Sequence, residues 1–279
     1  MRENRSSDTA LGVVTIRAVH HLIDDVPHIL DDPIAPLLLG AQGVRRILEH
    51  PEMHRSLPSR TLRSHVVLRS RYAEDELARA VASGIWQTVN LGAGYDTFAF
   101  RQPDWARSIR IVELDHPATQ SAKVALLKKA GLAAPDYIEW IPLDLERSSL
   151  GAGLAASSFD PALPAFVACL GVVAYLRPGT VSALFHGVAA LQKGSRFVFA
   201  FASAQAEATV QTGSSAAVRA AAHGEPWLTR FSRDELHAEL LRSGFSDVHF
   251  LDPDAAAAYY VGRHDLPAPR PTRICHAVV

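Results

Sequence analysis

The residues with the clearest chemical capacity are Asn90-Leu91-Gly92-Ala93-Gly94-Tyr95-Asp96-Thr97. They follow a short apolar run, Trp86 to Leu91, that reads as a strand. Glycines directly after a strand permit a tight turn and let the backbone approach a ligand closely. Asp115 stands at the end of the next apolar run, 21 residues after Gly94 (115 − 94), where a carboxylate can accept from a ribose diol. Strand, glycine turn and helix together form the nucleotide-cofactor site of doubly wound sheets. Two cofactor classes suit it. A dinucleotide calls for Gly-x-Gly-x-x-Gly, with its pyrophosphate on a helix N-terminus. Here Thr97 takes the third glycine position, and Asp96 would meet the pyrophosphate with like charge. S-adenosylmethionine (SAM) carries an ammonium and no phosphate, so it tolerates an acid there. The residues therefore favour SAM, with an NAD(P)-binding oxidoreductase as the alternative and a ligand-free glycine turn still open.

The surrounding pattern has to position that loop. Residues 1 to about 83 read as helical: Thr9 to Leu22, a helix opened by Asp31-Asp32-Pro33 and running to about Leu39, and Arg63 to Ser83 closed by Gly84. After Gly84, short apolar runs alternate with helical stretches. Strands are expected at Trp86–Leu91, Ile109–Leu114, Tyr137–Leu143, Ala165–Val173, Ser195–Phe201, Asp247–Leu251 and Arg273–Val279. Helices are expected at Pro117–Ala130, Pro178–Gln192 and Ser232–Ser243, the last with Ser232 and Glu235 as a capping box and Gly244 as its stop. This alternation predicts an α/β fold with a parallel, doubly wound sheet. The expected organisation is a helical cap over residues 1–83 and a cofactor-binding domain over 84–279, forming one unit. Residues 205–225 are rich in Ala, Ser and Gly and interrupt the rhythm, so a lid-like insertion is expected over about 203–230.

Composition narrows the function classes. The 279 residues are 48% hydrophobic and 20% charged with a formal net charge of −1, so no strongly charged partner is implied. Lys and Arg form no basic stripe, which argues against a nucleic-acid substrate. Cys169 and Cys275 lie in apolar runs and read as buried reduced thiols. Neither Cys-x-x-Cys nor His-Glu-x-x-His occurs, so no metal site is expected. No apolar run approaches the roughly 20 residues of a membrane span, and a cytoplasmic protein is expected.

At this point the motifs resemble a family. Asn90 to Thr97 with Phe100-Arg101, and Val112-Glu-Leu-Asp-His-Pro117 with Lys123, are similar to the leucine carboxyl methyltransferases and their bacterial relatives, which include polyketide O-methyltransferases. Thr9-Ala-Leu-Gly with Arg17-Ala18, Asp31-Asp-Pro33, Arg69-Ser-Arg-Tyr72, Leu143-Asp-Leu145, Leu170 to Leu176, Gly224-Glu-Pro-Trp227, Gly244-Phe245 and Tyr259-Tyr260 with Gly262-Arg263 continue the resemblance in order along the chain. It implies a class I SAM-dependent methyltransferase fold, a Rossmann-like seven-stranded sheet whose last strand is antiparallel, with a helical N-terminal extension. It also implies SAM as cofactor, with Arg17 and Arg69 pairing with the methionine carboxylate. Gly92, Ala93 and Gly94 would pass under the methionine part, Asp115 would hold the ribose, and Asp144 and Leu145 would flank the adenine. Leu170 stands where eukaryotic members carry a glutamate, which points away from their protein-terminus substrate and toward a small-molecule acceptor with a carboxylate or hydroxyl. A SAM-binding pseudo-enzyme acting by interaction is the further alternative. Acceptor-site candidates are Tyr175, Glu225 and Trp227. Arg101 is expected to be a structural ion-pair residue, and the scattered histidines to be packed or surface side chains. The sequence leaves the catalytic residue, the acceptor and the oligomeric state open.

Overall fold

The computed structural model describes residues 7–204, 216–222 and 224–279. The apolar runs after Gly84 form the strands β1 (Gln87–Leu91), β2 (Arg110–Asp115), β3 (Ile138–Pro142), β4 (Phe166–Cys169), β5 (Arg196–Ala200), β6 (Asp247–Phe250) and β7 (Ile274–Val278). They make one sheet in the order β3-β2-β1-β4-β5-β7-β6. Strands β1 to β5 pair in parallel, and β7 runs antiparallel between β5 and β6. Side chains of the central strands are buried in near-continuous runs, such as Val89 and Leu91 on β1 and Phe197, Val198 and Phe199 on β5. Continuous apolar runs of this kind follow from a sheet covered on both faces. The strand order reverses between β1 and β4, so the loops leaving their carboxyl ends diverge and open a crevice.

The N-terminal helices are α1 (Asp8–Ile23), α2 (Ile34–Glu49) and α3 (Leu57–Ala82). On α1, Val14, Ala18 and Val19 pack with Leu38 and Ile47 of α2, and with Tyr95 of the glycine loop. On α3, Val67, Leu68, Leu77 and Ala80 share a core with Ile109, Ile111 and Phe166 at the sheet. The N-terminal helices therefore pack against one another and bury part of their apolar surface against the α/β layer. The remaining helices include α4 (Pro117–Lys129), α5 (Leu150–Ala155), α6 (Pro178–Ala189), α7 (Ala216–Ala222), α8 (Arg233–Ser243) and α9 (Pro253–Ala257). On α8 the capping box of Ser232 and Glu235 forms, and Gly244 closes it at φ 110°.

The structure differs from the sequence expectation in the second helix, the fourth strand and the stretch after the glycine loop. The second helix does not end near Leu39: Gly40 takes φ 69° and bends it, and the chain continues helical to Glu49. The fourth strand stops at Cys169, because Gly171 turns at φ 76° and Val173–Tyr175 close a 3-10 turn. No α-helix follows the glycine loop. Only the 3-10 turns Phe98–Phe100 and Asp104–Ala106 separate β1 from β2. Pro103 accounts for this, since it disfavours the helical region for Gln102 just before it. Much of the expected lid, residues 205–215 and His223, lies outside the described residues.

Candidate active site

Beyond the carboxyl ends of β1, β2 and β4 lies a cleft of about 220 Å³. Every residue expected to hold the cofactor lines it: Arg17, Arg69, Gly92, Ala93, Gly94, Asp115, Asp144, Leu145 and Leu170. Tyr175 and Glu225 line it as well. Trp227 does not, although its side chain lies close enough to the Tyr175 phenol to oppose the upward push of burial there. The Trp227 ring lies 5.8 Å from the Arg230 guanidinium carbon.

The glycine loop is shaped by close approach. Gly92 has φ 62°, and a Cβ built there would lie 2.3 Å from Val172 Cγ2. Its N–H donates to the Leu114 carbonyl at 2.7 Å, which holds the turn against the end of β2. Gly94 N donates to one Asp115 carboxylate oxygen, and His116 N donates to the other at 2.6 Å. Desolvation pushes the Asp115 carboxyl up from its ordinary range, and these two N–H groups oppose that rise. A carboxylate has about four lone-pair sites, so two backbone donors leave Asp115 able to accept from a vicinal diol.

Arg17 and Arg69 differ sharply. Arg17 lies 2.7 Å from Asp32 and 2.9 Å from Asp96, and it also donates to Thr97 Oγ1 at 2.9 Å. Thr97 Oγ1 donates to Asp32 at 2.9 Å, and Arg101 donates to Thr97 and pairs with Glu74 on α3. Asp96 and Thr97 thus fasten the glycine loop to α1, to the loop before α2 and to α3. Desolvation alone would raise Asp96, but the Arg17 guanidinium, with Lys123 and Arg101 behind it, holds it down to about 2. Arg69 makes no ion pair among the described residues, and its buried Nε has no hydrogen-bond partner. Burial lowers its pKa from the ordinary guanidinium value. Gly171 gives it room: a Cβ there would lie 2.6 Å from Arg69 Nη1.

On the β2–β3 side, Leu143 and Leu145 flank Asp144, whose Oδ1 accepts from Glu146 N at 3.0 Å. His116 Nδ1 accepts from Ala118 N at 3.3 Å and so caps α4, while its Nε2 lies 4.0 Å from Asp144. Glu225 accepts from Ser7 Oγ at 3.1 Å and Thr9 N at 3.3 Å, and Ser7 N donates to Thr119 Oγ1 at 3.2 Å, which ties the segment after α7 to the starts of α1 and α4. That segment is anchored in turn where Leu228 N donates to the Ala174 carbonyl at 2.7 Å.

These groups fit SAM. An uncompensated guanidinium suits an amino-acid carboxylate, a partly buried carboxylate suits a ribose, and the glycine turn supplies close backbone approach. They do not fit a dinucleotide: the pyrophosphate would need a helix N-terminus, and only a three-residue 3-10 turn follows the loop.

Comparison with known proteins agrees with this geometry. A sequence profile of the leucine carboxyl methyltransferase family matches residues 10–189. The chain belongs to the leucine carboxyl methyltransferase family. A Bacillus subtilis relative, provisionally named an S-adenosyl-L-methionine-dependent methyltransferase, is 31% identical over 91% of each chain. A Frankia alni relative with the same provisional name is 35% identical over 67% of this chain and 66% of its own. Among solved structures, a DUF574 family protein from Streptomyces avermitilis covers 95% of both chains with a TM-score of 0.57 at 16% identity. A Thermobifida fusca protein provisionally named a methyltransferase covers 99% of this chain and 95% of its own, with a TM-score of 0.55 at 15% identity. The fold is therefore that of the class I methyltransferases, and the chain is a SAM-dependent methyltransferase.

Sequence reasoning missed the contribution of the first turn of α1. Ser7, Thr9, Ala10, Val13 and Val14 line the cleft. Ser7 as an N-cap, accepting from Ala10 N at 3.0 Å, was the available signal for where that helix begins. Among the described residues no helix is long and apolar enough to cross a membrane.

Proposed function

We propose that this family member methylates an oxygen of a small molecule, with a carboxylate as the acceptor the cleft suits best. The observation that carries the reading is the placement of imidazoles. Among the described residues lining the cleft, the only histidine is His116, which caps α4 beside Asp144 at the adenine end. In this reading the acceptor would lie against Tyr175, Leu170, Leu176 and Leu228, which line the cleft, with Glu225 at the edge of that end. Bound SAM supplies an electrophilic methyl group whose sulfur leaves as a neutral thioether. A carboxylate arrives anionic at neutral pH, so this chain's residues need only align it and exclude water. Desolvation raises the Tyr175 phenol, so it stays protonated and can donate to an acceptor oxygen.

In this reading Arg69 holds the methionine carboxylate, Gly92 to Gly94 run beneath it, Asp115 accepts from the ribose and Asp144 takes the exocyclic amine. Leu145 and Leu170 cover apolar faces. Arg17 acts at one remove, as the cation that holds Asp96 and Asp32 in place. Residues 1–83 serve as a helical cap and 84–279 as the catalytic domain of one unit. Buried free Cys169 and Cys275 suit a reducing cytoplasm.

A hydroxyl acceptor is the second reading, because Glu225 offers a carboxylate at the acceptor edge that could take its proton. Labelled SAM incubated with panels of carboxylic acids and alcohols, read by mass spectrometry, tests both; labelling of neither class would overturn the oxygen-acceptor reading. For the cofactor, Asp115→Ala is expected to weaken SAM binding by roughly 1–3 kcal/mol in calorimetry. Unchanged affinity would remove the ribose role, and NADH binding without SAM binding would overturn the proposal.

A further inference from the structure

Among the described residues, His21, His28 and Asp31 form the one group of three side chains whose metal-ligating atoms converge, all within 4.8 Å of one another. They lie at the end of α1 and in the connection to α2, and none lines the cleft. His21 Nδ1 is buried and 3.2 Å from Asp31 Oδ1, yet it makes no hydrogen bond. Close approach without hydrogen-bond alignment is the relation between two ligands that point at a common third atom. His28 Nδ1 lies 3.7 Å from the same oxygen. In a tetrahedral zinc site, bond lengths of about 2.0–2.2 Å place neighbouring ligand atoms about 3.3–3.5 Å apart, and the two observed separations bracket that edge.

The surroundings hold this arrangement. His20, next to His21, has both nitrogens in use: Nδ1 lies 2.8 Å from Asp24, and Nε2 accepts from Leu30 N at 3.4 Å. Arg63 grips both Asp24 oxygens at 2.6 and 2.8 Å. The His20 ring packs against His28 at 5.2 Å between centroids, and His21 against His28 at 5.0 Å. Two imidazoles are thus set by a buried frame, and the third ligand is a largely exposed aspartate that can adjust by a few tenths of an ångström.

We propose that His21, His28 and Asp31 bind a divalent transition-metal ion, zinc foremost, with water in the fourth position. Two imidazoles and one carboxylate suit that class of ion. The spacing, seven residues and then three, matches none of the zinc motifs sought in the sequence. The adjacent Asp32 contacts Arg17 and Thr97, so an ion at Asp31 would brace the loop that anchors the glycine turn.

The test uses the full chain, stripped with EDTA and titrated with zinc chloride in calorimetry beside His28→Gln and Asp31→Asn. One ion per chain is expected, with affinity about tenfold or more weaker in each variant. Asp31 is 75% exposed, so Asp31→Asn keeps the fold, and its unchanged metal-free melting temperature verifies this. Cobalt substitution should give the intense visible bands of a tetrahedral centre in the wild type and lose them in Asp31→Asn. No zinc binding, or equal affinity in all three proteins, overturns the site. Zinc should also slow hydrogen exchange over residues 24–33; unchanged exchange overturns the bracing.

Discussion

Arg17 and Arg69 border the same glycine loop in opposite electrostatic states. Both line the cleft, and both come from N-terminal helices. Arg17 has two carboxylates within 3 Å and is 3% exposed. Among the described residues Arg69 has none, and its Nε is buried without a partner. By residue type the two are equivalent candidates for a substrate carboxylate. The structure separates them by what else surrounds each: one cation is already neutralised by the protein, and the other is held in reserve. A buried charge without a partner costs folding energy, and a cation held in that state beside a cleft supports the proposal that its partner is a ligand.

The sharpest way to break this distinction is to remove each cation in turn. Arg17→Met keeps the apolar stem but leaves Asp32, which is fully buried, with only the more distant Arg101 guanidinium at 3.6 Å. Breaking a buried pair this way costs about 3–5 kcal/mol, expected as a large drop in unfolding free energy by urea denaturation. A drop below about 1 kcal/mol would mean the network does not anchor the loop. Arg69→Met should do the reverse. SAM affinity should fall by roughly 1.5–3 kcal/mol, the scale of a hydrogen bond to a charged group, with folding stability unchanged or slightly raised. If stability fell while SAM affinity held, the two roles would have to be exchanged.

Acid titration sharpens the same contrast. Asp96 has its folded pKa lowered from 3.8 to about 2. A lowered acid pKa contributes stability that is complete above the unfolded value and is lost as pH falls through the folded one. The stability difference between the wild type and Asp96→Asn should therefore be constant above about pH 5 and shrink by about 2 kcal/mol toward pH 2. A pH-independent difference would show that Asp96 is not electrostatically coupled to Arg17. Arg69 has no carboxylate partner among the described residues and adds no such acid-dependent contribution there.

This contrast also explains which parts of the molecule were legible in the sequence. The strands were readable because burial on both faces writes continuous apolar runs, and the loop because glycines after a strand have few other uses. Motif order brought Arg17, Arg69, Gly92, Asp115 and Asp144 to the cleft, but not Trp227, and it did not reach the lining from the start of α1. The state of each arginine did not, because Asp32 reaches Arg17 from a different segment and ion pairing is a property of three-dimensional neighbours. Asp96 and Thr97 show the same limit. Their types argued against a pyrophosphate, but their partners show that they tether the loop to α1, α3 and the segment before α2. The missing helix after the loop was foreshadowed only by Pro103. His21, His28 and Asp31 were unreadable because their convergence depends on the path of the connection between α1 and α2.

Glu225 allows the smallest effect to decide between the two acceptor readings. Its carboxylate accepts from Ser7 and Thr9 and so closes the wall formed by the start of α1. If that is its whole task, Glu225→Ala removes hydrogen bonds worth about 1 kcal/mol. The expected result is a KM for SAM raised roughly fivefold with kcat little changed, since binding is lost equally from ground and transition states. If Glu225 instead takes a proton from a hydroxyl acceptor, kcat falls, and Glu225→Gln, which keeps the shape of the side chain, falls with it. A carboxylate acceptor needs no such base, so retained kcat in both variants, together with a raised KM, would assign Glu225 to the wall and leave Arg69 as the charge in the cleft that meets a ligand.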